Sequence, residues 1–291
     1  MHLVAQTLAD GLVLGGIYAL SAVGFSLIFG VLHVINLSHG ILVLIGAYLA
    51  LMFSNALRLD PLLTTPLVMA VLFVVGYAYQ RLLIQRSVDS SHLGSMLLTF
   101  GVALMLQNVL VWVFSPDVKS ITPSYGFASF HVGGLTFDVV RLSALLTSLV
   151  MLSLLAALLK YSPLGRIIRA TAQQTVAARL CGVNVNHVFA LTFAVSAAFA
   201  GAAGIVIGII LPFAPADEAF WTLNAFVVVV LGGVGSPAGA LIGGLLLGIV
   251  NTLTAQYIGP AFPNVTMFLI LVLMLLIRPN GLLGNAFSPS R

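Results

Sequence analysis

The feature that most constrains this chain is a series of apolar stretches, each near twenty residues long and almost free of charge, separated by short polar breaks. A helix needs about 20 apolar residues to cross the hydrocarbon core of a bilayer. Stretches of that kind occur at 7–31, 38–57, 62–79, 93–114, 139–159, 189–212, 237–256 and 262–278. Charged residues make up 6% of the chain, against about a quarter in a soluble domain, so most of its surface is built to meet something other than water. In lipid every backbone N–H and C=O needs an internal partner, which makes the helix the natural spanning element. A further apolar piece at 222–234 reaches only ~20 Å as a helix, so it is either a short helix inside the protein or a re-entrant arm. The pattern predicts an all-α polytopic integral membrane protein. It is a bundle of eight or nine transmembrane helices with short broken helices, and one domain over 1–291, because no long polar stretch is left for a second.

Orientation follows from the basic residues, which concentrate on the cytosolic side of membrane proteins. If the 80–92 and 157–188 loops and the C-terminal tail are cytosolic, then Arg81, Arg86, Lys160, Arg166, Arg169, Arg179, Arg278 and Arg291 lie inside. Arg58, Lys119 and Arg141 then lie outside, a bias of 8 to 3. Asp89 is the one acid inside, with Asp10, Asp60, Asp117, Asp138, Asp217 and Glu218 outside. The N-terminus is thereby outside and the C-terminus cytosolic. Trp112 and Trp221 fall at outer ends of spans and Tyr79 and Tyr161 at inner ends, where amphipathic rings favour the interface, although core packing accounts for such rings equally well. The external loop at about 115–138 alternates around Gly133-Gly134, which predicts a small β-hairpin. Residues 1–10 have no basic stretch before the first span, so no cleaved signal peptide is expected. The single cysteine, Cys181, excludes an intrachain disulfide.

Small residues recur at four-residue spacing: Gly11 and Gly15, Gly204 and Gly208, then Gly235, Gly239 and Gly243, with Gly244 and Gly248 on a neighbouring face. Glycine lets helix backbones approach closely in lipid. Two helix starts look alike, Asn36-Leu37-Ser38-His39-Gly40 and Gly235-Ser236-Pro237-Ala238-Gly239, with serine as N-cap and, in the second, proline at the first helical position. Each is either a capped loop at the interface or a broken helix at membrane depth, where unpaired N–H groups and the helix dipole receive a solute. On the second reading Asn36, Ser38, His39, Asn224, Gly235, Ser236 and Gly239 line the path. Aligning Ser38 with Ser236 also aligns Gly46 with Gly244 and Leu49 with Leu247, a faint trace of duplication. The other intramembrane polar residues, Ser21, Ser26, Thr99, Gln107, Asn108, Ser196 and Asn251, are not ionisable, which weighs against proton coupling. His33 and His39 are expected at the inner end of the first helical hairpin.

The cytosolic loop at about 160–188 carries the most information. Ser162-Pro163 starts a helix; Ile168, Ala172, Val176 and Leu180 repeat at four-residue spacing as one apolar face; Arg166, Arg169, Gln173 and Arg179 lie mostly elsewhere; Gly182 suits the stop. Such a helix either lies on lipid or docks in a groove of a cytosolic partner. The sequence contains no GxxxxGK[ST], HExxH or GxSxG, so no ATPase or hydrolase site is expected, nor any cofactor or metal.

Three stretches together carry a family resemblance. They are Asp10-Gly-Leu-Val-Leu-Gly-Gly-Ile-Tyr-Ala-Leu with Gly30 and Ile35 to Gly40; Leu164-Gly165-Arg166 to Ala170 with Ala177 to Val183; and Leu231-Gly-Gly-Val-Gly-Ser-Pro-Ala-Gly-Ala-Leu-Ile-Gly-Gly. In order and spacing the chain resembles the permease subunit of ABC importers for branched-chain amino acids, the LivH-like family. One departure is Leu37-Ser38, where family members often carry Phe-Ala. The resemblance implies a bacterial cytoplasmic-membrane permease for branched-chain or other hydrophobic amino acids. Its implied partners are a second related permease, two cytosolic ATPase subunits, an extracytoplasmic solute-binding protein and the bilayer, with no nucleic acid. It also implies that Arg166, Arg169, Val176, Arg179, Leu180 and Gly182 couple to the ATPase. A related sugar importer and an ATP-independent channel or facilitator are the alternatives.

Overall fold

The structure is a computed structural model that describes residues 2–88, 92–132, 135–278 and 281–283. The expected Gly133-Gly134 turn, Asp89 and Arg291 lie outside these residues. The chain forms α1 (His2–Leu32), α2 (His39–Leu57), α3 (Thr65–Tyr79), α4 (Gln85–Val88), α5 (His92–Phe114), β1 (Ser129–Val132), β2 (Leu135–Asp138), α6 (Val139–Tyr161), α7 (Pro163–Gln173), α8 (Thr175–Leu180), α9 (Val185–Ile210), α10 (Glu218–Gly232), α11 (Pro237–Tyr257) and α12 (Pro263–Ile277). Proline stands at the start of α7, α11 and α12, where its missing N–H leaves no intrahelical bond unmade.

Among the described residues, seven helical segments are long and apolar enough to cross a membrane. The fold is that of a polytopic α-helical membrane protein. One expected loop is helical instead: α3 continues through a π turn at Gln80–Ile84 into α4, so the span runs over Pro61–Ile84 and carries Arg81 and Arg86 on its end. α10 and α12 have 15 residues each, about 22 Å of helix, less than the ~30 Å of a hydrocarbon core.

α9 and α1 form the centre: 89% of the most apolar window of α9 is buried, against 17% for α5 on the periphery. The glycine pattern explains the tightest crossing. α1 and α11 run antiparallel with Gly11 against Ile249, Gly15 against Leu245, and Gly244 against Ala19. A Cβ added to Gly15 would stand 2.6 Å from the Leu245 Cα. α2 runs parallel to α9, with Gly46 against Gly201 and Gly204 against Val43. The glycines that the sequence aligned between α2 and α11 thus serve a parallel contact in one helix and an antiparallel contact in the other, so the alignment does not extend to packing.

The bundle has two distinct ends. At one, called here the hairpin side, β1 and β2 pair antiparallel from Ser129↔Asp138 to Val132↔Leu135, and Gln6 at the start of α1 bonds Thr136. Arg58, Lys119 and Arg141 all lie at this end. At the other, the loop side, lie α4, α7 and α8. Arg81, Arg86, Lys160, Arg166, Arg169, Arg179 and Arg278 belong to this end. Among the described residues the chain makes nine passes between the two, and the seventh is composite. After α9, residues 211–217 turn back at the hairpin side, where Phe213 pairs with Lys119, and α10 completes the pass inside the protein.

Candidate functional site

Three helices begin in the interior, beside the Tyr18–Ser26 stretch of α1. The chain leaves α1 at the loop side and returns through 33–38 in non-helical form, so that α2 starts next to Ser21. The His39 Nε2 lies 2.7 Å from the Ser21 carbonyl oxygen, about 16 Å short of the C-terminal end of α1. His39 is fully buried, not at the inner end of a hairpin as the sequence led us to expect, because the return segment carries it back into the bundle. Its Nδ1 is buried without a partner.

The first turn of α10 meets the first turn of α2. The Gly40 N–H donates to the Thr222 Oγ1 at 2.8 Å, and the same hydroxyl donates to the Leu37 carbonyl at 3.2 Å. A Cβ on Gly40 would collide with the Glu218 carbonyl oxygen. Glu218, expected outside, is buried at 6% exposure at the head of α10. Trp221, expected at the outer interface, is buried edge-on against Tyr18, and Tyr79 is buried with its hydroxyl 2.9 Å from the Ser38 Oγ. For Trp221 and Tyr79 the structure takes the core-packing alternative, and the burial of all three has one cause. The segments that carry these residues dip into or pack against the interior junction, and local sequence does not show that return. Tyr161 and Trp112, by contrast, are exposed.

The third start is at α11. Ser236 caps it, its Oγ accepting from the Gly239 N–H at 3.1 Å, and the Gly235 N–H donates to the Ser26 Oγ at 2.9 Å. Gly233 and Gly235 hold φ of 104° and 80°, which fold the chain sharply between α10 and α11. Ser38 differs from Ser236. Its side chain makes no cap bond; its Oγ donates to the Asn36 Oδ1 at 2.6 Å. Asn36 accepts from the Ser38 N–H as well, and Thr99 accepts from the Leu37 N–H.

At these breaks the N–H groups of Leu37, Ser38, Gly40, Gly235 and Gly239 are met by side-chain oxygens. Asn36, Ser38, His39, Asn224, Gly235, Ser236 and Gly239 come together here as a packed joint. Ser236 is part-exposed and the other six are buried. Ser21, Ser26, Thr99, Ser196 and Asn251 join them, with the Ser196 Oγ donating to the Gly24 carbonyl at 2.7 Å. Gln107 is only partly buried, and exposed Asn108 bonds its own helix at Leu104.

Open space lies on the hairpin side. A cavity of about 370 Å³ is walled by Leu14, Ile17 and Ile210 and floored by Tyr18 and Asn251, with the Asp10–Arg141 ion pair (2.6 Å) at its rim. A more polar crevice of about 570 Å³ runs between Arg58, Asp60 and the 120–124 segment. Beside it, burial and then the Asp60 carboxylate push the Tyr125 hydroxyl pKa up.

At the loop side, α7 starts as expected, with the Ser162 Oγ accepting from the Gly165 N–H at 2.9 Å. The single apolar face does not form. Gln174, at φ −150° and ψ 89°, leaves the helical region and separates α7 from α8. Ile168 and Ala172 are buried, whereas Val176 and Leu180 are 70% and 85% exposed. Arg166 and Arg179 are exposed, Arg169 is part-buried, and Gly182 stops α8 at φ 83°. Cys181 is also exposed.

Long spans around a junction of interrupted helices define a membrane protein built for passage. Residues 7–278 match the family described as branched-chain amino acid transport system / permease component. The chain is 33% identical to the high-affinity branched-chain amino acid transport system permease protein LivH of Escherichia coli (strain K12), with 96% of this chain and 95% of that one covered. It is 26% identical to the permease protein LivM of the same organism, covering 97% of this chain and 71% of that one. In fold alone it resembles a chain of PsaBC from Streptococcus pneumoniae in complex with Fab, at a TM-score of 0.52 and 11% identity over 94% of this chain and 93% of that one. The chain belongs to the branched-chain amino acid transport system / permease component family.

Proposed function

We propose that this permease carries branched-chain or other hydrophobic amino acids across the cytoplasmic membrane, energised by ATPase subunits that dock on α8. The observation that carries the coupling is the exposure of Val176 and Leu180 on a six-residue helix at the basic end of the bundle. Large apolar side chains flanked by exposed Arg166 and Arg179 fit a groove in a partner. The chain itself has no nucleotide-binding loop. Part-buried Arg169 on α7 and Gly182, which ends α8, belong to the same coupling segment. The loop side is then cytosolic and the hairpin side external, in keeping with the placement of basic residues. A solute-binding protein meets the hairpin side, and a second, related permease completes the path. Support for two related chains comes from LivH and LivM, both permease proteins of a high-affinity branched-chain amino acid transport system and both similar to this chain. The joint at Asn36, Ser38, His39, Asn224, Gly235, Ser236 and Gly239 is the element that rearranges when the path opens.

Each fully buried apolar side chain is worth about 1.5–3 kcal/mol. The double variant Val176→Asp, Leu180→Asp is therefore expected to lower recovery of the co-purifying ATPase by orders of magnitude while the permease still inserts. Undiminished recovery together with normal uptake would remove α8 from the coupling.

A further inference from the structure

The cavity of about 370 Å³ on the hairpin side falls within the ~300–1,000 Å³ of small-ligand pockets. Three of its properties point to one chemical class. Its walls, among them Leu14, Ile17 and Ile210, are apolar. Its rim carries one cation and one anion on opposing helices: Arg141 of α6 and Asp10 of α1, their side chains 46% and 29% exposed. Its floor holds an acceptor without a donor. Asn251 is 95% buried, its Nδ2 donates to the Tyr18 hydroxyl at 3.3 Å, and its Oδ1 is buried with no partner.

A buried acceptor left open is costly, so the site asks for a donor-bearing occupant. An ammonium group has three N–H donors. Asp10 and Asn251 both line this cavity, and each carries an acceptor oxygen. A carboxylate matches the planar fork of Arg141, which Asp138 also holds at 3.2 Å. Exposed ion pairs contribute little. A ligand bearing both charges can therefore replace the Asp10–Arg141 contact and pair both residues, whereas a simple anion would take Arg141 and leave Asp10 without a cation, and a simple cation would leave Arg141 with Asp138 alone.

We propose that this cavity is a binding site for a free α-amino acid with a branched aliphatic side chain. Arg141 receives its carboxylate, Asp10 and Asn251 its ammonium, and Leu14 and Ile17 its side chain. The assignment rests on the proposed amino-acid transport but adds a location to it: the solute is held on the hairpin side before it reaches the interior joint.

The test places a single reporter thiol in the cavity, Val13→Cys in a Cys181→Ser background, in the full-length protein in lipid nanodiscs. L-Leucine is expected to slow its modification by a thiol reagent. Arg141→Gln and Asp10→Asn are each expected to raise the leucine concentration needed by about tenfold or more. 4-Methylpentanoate, which lacks the ammonium, and isoamylamine, which lacks the carboxylate, are expected to protect poorly. Ala255→Phe, which fills the cavity without touching the charges, is a second variant and should abolish protection. No protection by leucine overturns the site. Equal protection by the two one-charge analogues overturns it in favour of an apolar crevice for lipid, and so does unchanged protection in both charge variants. Leucine uptake by the assembled transporter is measured in parallel. Loss of the site with uptake intact leaves the proposed function standing, whereas protection without uptake of any branched-chain amino acid counts against that function.

Discussion

At the scale of single residues, the interior joint depends on hydroxyl groups placed far away in sequence. Thr222 serves Gly40 across 182 residues. Thr222→Val keeps the shape and removes the acceptor, leaving a buried N–H unmet. The expected loss is about 1–3 kcal/mol, with Thr222→Ser much closer to wild type. Thermal unfolding of the two purified variants distinguishes them, and equal midpoints would show that Gly40 finds another partner. The Ser236 cap was legible in the sequence because cap, proline and glycine lie within four residues. The Thr222–Gly40 bond was not, because nothing local marks which hydroxyl will reach a broken helix. The burial of Glu218 and the interior position of His39 were hidden for the same reason. A charge beside an apolar run reads as surface until the chain is seen to return inward.

At the scale of elements, the glycines divide into those that hold helices together and those that do not. A Cβ on Gly248 would collide with the Gly15 backbone nitrogen, whereas one on Gly101 in α5 meets nothing within 4 Å. Gly248→Leu is expected to separate α1 from α11 and abolish folding or uptake. Gly101→Ala is expected to be neutral or to stabilise by up to about 1 kcal/mol through helix propensity. Monodispersity and melting temperature in detergent check both, and a tolerated Gly248→Leu would contradict the tight crossing. Spacing of the glycines predicted that contacts of this kind exist, since packing in lipid rests on small residues. It did not predict which helices they join. The amphipathic loop shows the converse: its start and stop were legible, but the break at Gln174 has no signal in residue type, so one predicted face became two short helices with opposite fates.

At the scale of the whole molecule, the two ends predict accessibility. Ser124 and Cys181 are both exposed, one at each end. In intact cells with a permeable outer barrier, an impermeant thiol reagent should label Ser124→Cys in a Cys181→Ser background. Native Cys181 should react only after permeabilisation. Labelling of Cys181 from outside would invert the proposed orientation. The number and rough position of the spans were legible because the bilayer imposes a length on each. The short helix inside the protein was legible at 222–234 as one of two alternatives, but the turn at 211–217 that leads into it was not, because a helix shielded by protein is freed from that length.

The pairing of the first helix with the eleventh has a consequence for biosynthesis. Tyr18 finds Asn251 only across 233 residues. At elongation rates of about 5–20 residues per second, α1 waits roughly 10–50 s for the partner that covers its glycine face. During that interval Ser21, Ser26 and the glycine backbone have no native neighbours from α10 or α11. A nascent chain stalled before Pro237 should therefore be a substrate for membrane quality control, and one released after Tyr257 should escape it.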